Sequence, residues 1–383
     1  MIQLVRRSFK KSAQVCLILL VSFSCTDPVK PEFDFEEGLI FIEGLASTVA
    51  GSSYTKITVS AIEFGVYKNI DVSDAKVDFI NVSSRSVMPL QWNGELYIPS
   101  QDFAVALGEE WQIKVILPDG REYRSLPEQA TKPVDIGALE TSYNPELRFD
   151  VGLNRFIPGH RLLVSFEDPS DTKNYYFWQF RTFERIVICK VCTNGYFREE
   201  MCQSFDPAIP ADELPPYYTY TCEETCWQIR YGQSINLFED QFTNGISTNQ
   251  FPVGEVFLFS KRDLLIELQQ FALSQSAFDY YQTLKDIIDD NAGFNAPLPA
   301  SLVGNLFNVN DSNEFVLGRF TVTAASTKHL FLERAAIAEP ALETILTLSP
   351  EGFGSLAPDP KILLATCQES RYRTAIRPEG WKD

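Results

Sequence analysis

The sequence has few of the residues on which enzyme active sites depend. Only two histidines occur among 383 residues, His160 and His329, and they lie in unrelated strand-like segments. The sequence therefore offers neither a histidine cluster for a metal nor an obvious general base. The GxSxG, HExxH, phosphate-loop and GxGxxG motifs are also missing from it. These absences predict a protein that is not an enzyme and holds no cofactor or metal, although a glycosidase-like pair of carboxylates leaves no trace in a sequence.

Positive charge is also scarce. The chain has 33 Lys and Arg residues against 51 Asp and Glu residues, which gives a formal net charge of −18. Four of the positive charges lie before residue 25, so the rest of the chain carries 29 basic against 51 acidic residues, a net charge of −22. Because such a surface repels phosphate backbones, nucleic acid is not an expected partner.

The sequence lacks an apolar run of the length that a helix needs to cross a bilayer, about 20 residues. Its N-terminal apolar stretch covers only residues 15–21. Arg6, Arg7, Lys10 and Lys11 precede this stretch, and small residues follow it, as is typical of a secretory signal peptide. Residues 1–24 are therefore predicted to be a signal peptide, and the mature chain is predicted to have no transmembrane helix.

Cys25 directly follows the predicted signal. Ser24 precedes it and Val21 lies four positions back, which resembles the bacterial lipobox, although Ser22 stands where leucine is usual. Acylation of Cys25, for example by palmitate, would anchor the protein to a membrane. The alternative is ordinary cleavage near Ser24, with Cys25 as a structural thiol. Residues 25–37 hold five acidic residues and two prolines, which predicts an extended acidic tether.

Aromatic residues are abundant, at 13% of the chain, and they favour β-structure. From residue 39 to 126 apolar and polar residues alternate between turn signals, as at Trp111, Ile113 and Val115. Asp119-Gly120 is typical of a tight hairpin turn. About seven such short strands predict an immunoglobulin-like β-sandwich over residues 38–130. The predicted fold class is mainly β.

Residues 131–383 are predicted to form a larger β-rich domain. Strand-like segments occupy 161–169, 174–189, 314–324 and 328–337, and 254–273 is predicted to be a hairpin that turns near 261–263. One covering helix is expected at 275–291, with Ser274 or Ser276 as its N-cap and Asp279 completing a capping box. Its apolar face is expected to pack on the sheet rather than to bind a partner. That face consists of Ala277, Tyr281, Leu284 and Ile288.

Six cysteines remain after the signal and the lipidation site are set aside. An even number in an exported protein predicts disulfides. Five lie in a proline-rich insertion at 189–226, and the sixth is expected to tie the C-terminus to this insertion. A zinc site and a redox pair are the alternatives, because the insertion contains CxxC and CxxxC spacings. The six candidate disulfide cysteines are Cys189, Cys192, Cys202, Cys222, Cys226 and Cys367.

A loop in this insertion presents three tyrosines after two prolines. Tyr217, Tyr218 and Tyr220 follow Pro215-Pro216. Tyrosines held by stiff backbone often anchor interfaces, so the loop is a speculative contact site. The competing interpretation is that the rings pack over the disulfides.

Several motifs occur in order along the chain. LIFIEGLAS lies at 39–47, NYYFW at 174–178, PLPASLVGN at 297–305, FVLGRF at 315–320 and RPEGW at 377–381. Together with Cys25, this series resembles a family of outer-membrane lipoproteins from Bacteroidota, domain of unknown function family 4249. The glycine-asparagine motif and the VLG motif that follows it are the sharpest part of the resemblance.

The resemblance implies location and partners more than chemistry. Proteins of this family are regarded as accessories to TonB-dependent receptors, so we expect a protein that is lipid-anchored at the outer membrane and helps such a receptor to capture or take up its substrate. The resemblance supplies no catalytic residues. The alternative is a structural or assembly lipoprotein of the cell envelope without a nutrient ligand. A hydrolase is the third candidate.

Overall fold

Alternation of buried and exposed residues produces the strands of this protein. In the strand Glu110–Ile116, Trp111, Ile113 and Val115 are buried, while the residues between them are at least partly exposed. Successive side chains of a strand point to opposite faces, so this period places one face in a core. The same pattern recurs along the chain, and the prediction of a mainly β fold is confirmed.

The computed structural model describes residues 37–191, 195–198, 201–204, 208, 220–290, 302–342, 367 and 369–382. Side chains are not described at 187–191, 195–198, 201–203, 220–224 and 290. Residues 38–383 form one compact unit, separate from residues 1–37, and the fold described below is that of this unit. Among the described helices, none has the length and apolar character needed to span a bilayer.

The first sandwich consists of two sheets that share one core. The core joins Ile42 and Ile57 of one sheet to Phe79 and Ile113 of the other, and Phe320 completes it. Its N-terminal strands are β1 (Ile40–Ser47), β2 (Tyr54–Glu63), β3 (Val66–Asp71), β4 (Lys76–Asn81), β5 (Val87–Trp92), β6 (Tyr97–Ile98), β7 (Glu110–Ile116), β8 (Glu122–Ser125) and β9 (Glu128–Gln129).

Two strands from beyond residue 300 complete this sandwich. The strand β19 (Leu306–Asn308) pairs with β8, and the first half of β20 (Leu317–Leu332) lies parallel to β1. The sequence placed a domain boundary at residue 130, and the structure places strands from both sides of that position in the same sheets. The predicted immunoglobulin-like sandwich did not include β19 and β20, because both are far in sequence from β8 and β1, the strands with which they pair.

The second sandwich packs a three-stranded sheet, in the order β10-β11-β17, against a larger sheet in the order β20-β18-β12-β15-β21. Leu162, Val164, Trp178 and Ile266 are among the residues that fill its core. The remaining strands are β10 (Ala138–Asp150), β11 (Arg155–Glu167), β12 (Tyr175–Val191), β13 (Gly195–Arg198), β14 (Met201–Ser204), β15 (Tyr220–Tyr231), β16 (Asn236–Glu239), β17 (Ser247–Phe257), β18 (Leu264–Ala272) and β21 (Arg373–Thr374).

Two details of the predicted strands are wrong. Segment 254–273 is not a hairpin, because β17 pairs with β11 while β18 pairs with β12 and β20 in the opposite sheet. Residues 258–263 therefore cross from one layer to the other, and both strands bury apolar faces in the core between the layers. The predicted strands at 314–324 and 328–337 are parts of one 16-residue strand, β20, which passes from the first sandwich to the second.

The helix α1 (Gln275–Asp290) covers the outer face of the larger sheet, as predicted. Ala277, Phe278 and Tyr281 pack against Tyr175 and Phe177, which alternate along β12 with residues of the sandwich core. The predicted face is correct for its first three members only. Its fourth, at position 288, is 58% exposed because the last turn of the helix extends beyond the sheet residues that it covers.

The start of α1 differs from the predicted capping box. Ser274 is the N-cap, because its Oγ accepts a hydrogen bond from the backbone N–H of Ala277 at 3.2 Å. This places Asp279 two residues beyond the position at which a capping-box acid would act. Ser276 instead directs its hydroxyl into a buried polar network that contains Glu128 and Arg319.

Candidate functional site

Two glycines of the family-like motifs, Gly304 and Gly318, build a close contact between backbones. A Cβ at Gly304 would lie 1.8 Å from the carbonyl oxygen of Gly318, and a Cβ at Gly318 would lie 2.0 Å from the carbonyl oxygen of Ile42. Gly318 also has a φ of +101°, which residues with a side chain rarely adopt. Only glycine fits either position, and the two glycines let the segment before β19 lie directly against β20.

Asn305 fixes this contact by pairing with the backbone of Phe320. Its side-chain oxygen accepts from the Phe320 N–H at 3.0 Å, and its amide nitrogen donates to the Phe320 carbonyl at 2.9 Å. The Asn305 carbonyl also accepts from the N–H of Leu126 at 2.8 Å. One asparagine therefore joins the segment before β19 to β20 and to the segment that follows β8.

A buried ion pair lies beside this asparagine. Arg319, 3% exposed, donates to Glu128, whose side chain is 7% exposed. The hydroxyl of Ser276 accepts from Arg319 at 2.9 Å, while Ser274 donates to the second carboxylate oxygen of Glu128 at 3.0 Å. Asn305 contacts the same carboxylate at 3.4 Å. We call Glu128, Arg319, Ser274, Ser276 and Asn305 the Glu128 network, and it joins both sandwiches and the helix.

A different region of the molecule contains two adjoining cavities. The larger, of about 760 Å³, is lined by β12, β15, β17, the end of α1 and the C-terminal segment, and the smaller, of about 270 Å³, lies between the second sandwich and strands β1 and β2. Both are lined by Phe180, Tyr231, Gly232 and Arg371, so they form one cleft. Concave sites that combine aromatic side chains with a few placed polar groups are typical ligand sites.

Several arginines surround one carboxylate at the larger cavity. Glu184 and Arg334 are 2% and 1% exposed, and they are joined at 3.2 Å. Arg230 and Arg262 also contact this carboxylate, at 3.4 Å and 3.5 Å. Burial lowers the pKa of Arg334, Glu184 opposes this effect, and the nearby charge of Arg230 adds to it. We call these four residues the Glu184 network, and it places three arginines around one carboxylate beside a cavity that Glu255 and Asp289 also line.

Arg371 connects the cleft to the first sandwich. Its guanidinium lies 4.6 Å from the ring centre of Tyr231 and forms an ion pair with Glu95 at 3.1 Å. In the smaller cavity, Arg181 and Glu267 form a bidentate pair at 2.7 Å and 3.0 Å. A surface of paired charges and aromatic rings can bind a polar or anionic ligand by hydrogen bonds and stacking.

The described side chains that line the cleft include serines, tyrosines and carboxylates. In the described part of the chain, neither cavity is lined by a histidine or a cysteine. His160 lies near Arg334 but is buried, and both of its ring nitrogens lack a hydrogen-bond partner. Burial, and then the charge of Arg334, lower the pKa of His160 to about 4.

The comparison with known families gives one result. A family model described as Domain of unknown function (DUF4249) matches residues 26–329. The chain belongs to the DUF4249 family. The resemblance drawn from the sequence is thereby confirmed. No curated protein matches the chain significantly.

The DUF4249 match includes the glycine-asparagine and VLG motifs, whereas the closing motif at 377–381 lies beyond it. The structure assigns the two matched motifs to the contact between backbones and to the Glu128 network rather than to the cleft. Neither Arg319, within the FVLGRF motif, nor Arg334 was predicted to lie in a buried network. An arginine flanked by apolar residues in a strand was the available signal for Arg319, because a buried charge requires a partner.

The predicted cysteine sites are described only in part. Cys226 and Cys367 form a disulfide that closes a loop of 141 residues and ties the C-terminal segment to β15. Because Cys226 is part of this disulfide, it is not free to act as a zinc ligand, as the alternative interpretation requires. Among the described residues, no group of three or more potential metal ligands lies close together.

The other predicted site residues lie outside what is described. Cys25, Cys192, Tyr217 and Tyr218 fall in the parts of the chain that are not described. The rest belong to strands whose side chains are not described there, namely Cys189 in β12, Cys202 in β14, and Cys222 and Tyr220 in β15.

Proposed function

We propose that this DUF4249 protein is a lipid-anchored accessory protein of the outer membrane that partners a TonB-dependent receptor in substrate capture or uptake. The signal-like segment at 1–24, the lipobox-like Cys25 and the acidic tether support an envelope protein held by a lipid. The disulfide between Cys226 and Cys367 supports an oxidising compartment. The family resemblance supports the receptor as partner.

The observation that carries the capture role is the cleft. Its two cavities together are large enough for a small-molecule ligand, and they are lined by arginines, tyrosines and paired carboxylates. The lining suits reversible binding, because it provides hydrogen bonds, charge and ring faces. A ligand held there could be passed to a receptor without being altered.

A second candidate is a structural or assembly lipoprotein. It is favoured by the position of the matched family motifs, which hold Gly304, Asn305 and Gly318 in a structural contact and not in the cleft. Under this alternative the protein maintains the receptor or another envelope component, and the cleft has no nutrient ligand.

The test is affinity purification of the tagged protein from native membranes, with mass spectrometry of the partners and of the N-terminal peptide. The capture role predicts an acylated Cys25 and a co-purified receptor barrel. The absence of a receptor partner would contradict it. If deletion of the protein lowers receptor abundance and leaves uptake per receptor unchanged, the assembly role is the correct one.

A matched pair of variants separates the cleft from the rest of the surface. Arg371 and Arg124 each form an ion pair with a glutamate, at 3.1 Å and 2.7 Å, but only Arg371 lines the cleft. We expect Arg371→Ala to lower uptake per receptor while the receptor still co-purifies, and Arg124→Ala to leave uptake unchanged. Equal uptake in both variants would argue against a ligand in the cleft.

A further inference from the structure

The hairpin formed by β2 and β3 ends in an unusually exposed aromatic residue. Glu63 pairs with Val66, so the turn consists of Phe64 and Gly65 alone. Their φ angles are +53° and +77°, as expected for a type I′ turn. Phe64 is 97% exposed and Val66 is 57% exposed.

Phenylalanine is a poor choice for this turn if folding alone matters. A bulky residue with positive φ is strained, and asparagine or aspartate is the usual residue at this position. The ring of Phe64 is nearly fully exposed, so its burial in the fold does not compensate for the strain. An aromatic residue that is both strained and exposed indicates a contact outside the chain.

The position of the hairpin identifies the contact. The chain enters the fold beside this hairpin, because the Gly38 N–H donates to the Ser60 carbonyl at 2.9 Å and the Ser60 N–H donates to the Leu39 carbonyl at 3.0 Å. Phe64 lies four residues beyond Ser60, about 13 Å farther along the strand. The segment from Cys25 to Gly38 can extend at most about 45 Å. An acylated Cys25 would thus hold this end of the fold near the lipid surface.

Charge near the turn does not oppose such a contact. Glu63 is paired with Lys68, and Lys56 is paired with Asp71 at 3.8 Å. The stem of the hairpin thus balances two acids with two lysines in a chain whose net charge is −18. An aromatic tip on a neutral stem suits the interface between lipid headgroups and acyl chains.

We propose that Phe64 inserts into the membrane to which Cys25 is anchored, so that the β2–β3 hairpin is a second membrane contact and fixes the orientation of the protein. This inference rests on the proposed lipid anchor. The acyl chains supply the affinity, and the hairpin supplies the direction, because attachment at one point alone leaves the fold free to rotate.

The test uses the full lipidated protein in vesicles of phosphatidylethanolamine and phosphatidylglycerol that contain a dibrominated phosphatidylcholine. The Phe64→Trp variant reports contact with lipid through bromine quenching, measured above the background of the wild-type tryptophans. The control is Val151→Trp, because Val151 is 85% exposed near the turn between β10 and β11. We expect roughly twofold or greater fractional quenching at position 64 relative to position 151. Equal quenching would overturn the proposal.

A second variant keeps the proposal testable without a new aromatic residue. Phe64→Asn suits the type I′ turn, so its unfolding temperature should equal or exceed that of the wild type. Hydrogen exchange over residues 62–68 should slow by roughly tenfold when the wild type enters vesicles, and should not slow in Phe64→Asn. Slowing in both proteins would contradict lipid contact by Phe64.

The outcomes separate this inference from the proposed function. Mass spectrometry of the same preparation reports the acylation of Cys25. Acylated protein with unquenched tryptophan at position 64 overturns the hairpin contact alone, whereas an unacylated Cys25 overturns the proposed anchor. Quenching or protection that requires a co-reconstituted receptor would assign the turn to a protein contact and overturn the lipid assignment.

Discussion

Glu128 and Glu184 are both buried carboxylates that bind buried arginines, yet their surroundings differ. Glu128 has one arginine, and its remaining contacts are neutral groups on Ser274, Ser276 and Asn305. Glu184 contacts several arginines and borders a cavity of about 760 Å³. The first network is enclosed by the fold, whereas the second opens onto space that a ligand can occupy.

The difference separates a structural role from a binding role. A buried pair with matched charge and several hydrogen bonds holds elements in one arrangement. A network that borders a cavity is instead accessible to a ligand, whose charged groups can pair with its guanidinium groups. Asn305 and Arg319, in the glycine-asparagine and VLG motifs, belong to the first network, so these residues report how the protein folds more than what it binds.

Glu128→Gln should have the largest effect. It leaves Arg319, 3% exposed, without a charged partner, so we expect a loss of about 3–5 kcal/mol in the free energy of unfolding. Urea unfolding measures it. The control is Glu122→Gln on the surface, with an expected change within about 0.5 kcal/mol. A similar small change in both variants would contradict the structural role of the Glu128 network.

Glu184→Gln should cost less, about 2–3 kcal/mol, because Arg262 is 37% exposed and the network borders the cavity, where water and ions can compensate. Added phosphate should restore part of the loss in stability by pairing with the arginines that Glu184 no longer neutralises. Thermal unfolding with and without phosphate measures this. A phosphate effect of the same size in Glu128→Gln would remove the distinction between the networks.

His160 should make the Glu184 region sensitive to acid. Its pKa is about 4 in the folded protein, below the value of about 6.5 in the unfolded chain. Between these values the unfolded chain binds a proton that the folded protein does not, so stability falls as pH decreases. From pH 6.5 to 5 the loss should be about 2 kcal/mol. Urea unfolding of His160→Phe should lack this part of the pH dependence, and an unchanged profile would contradict the assignment.

The smallest expected changes in stability come from two serines, each beside a buried arginine. Ser276 lies 2.9 Å from Arg319, and Ser260 lies 3.5 Å from Arg334. Ser276→Ala should cost about 1 kcal/mol, because it removes a charge-assisted hydrogen bond, and Ser260→Ala should cost about half of that. Chemical unfolding of the two variants provides the test. A larger loss for Ser260→Ala would reverse the ranking of the two networks.

The sequence was sufficient to predict what local patterns determine. Alternation of apolar residues located β2, β7 and most of β12, and the periodic segment after Ser274 located the helix. The strand β10 was not anticipated, because several of its residues are partly or fully exposed and its alternation is weak. The pairing of β1 with β20 could not be predicted either. Phe41 and Leu317 lie opposite each other but are 276 residues apart, and no local pattern links them.

The candidate site was less predictable than the fold. Glu184, Arg230 and Arg334 lie on separate segments, and only the folded chain brings their side chains together. Charged residues in a sequence are usually solvated, and the pattern around these three gives no sign of a shared cavity. The glycines of the family motif could be noticed in the sequence, but their role depends on the backbone that each approaches.

The parallel pairing of β1 with β20 also determines when the protein can fold. Phe41 lies opposite Leu317, so the edge of β1 that does not pair with β2 has no partner until the chain beyond residue 316 reaches it. Contacts between such distant residues form slowly, because a long loop must close first. Until then the open edge of β1 is available for wrong pairing. Under the proposed envelope location, the unfinished sheet should therefore need protection by a chaperone until β20 reaches it.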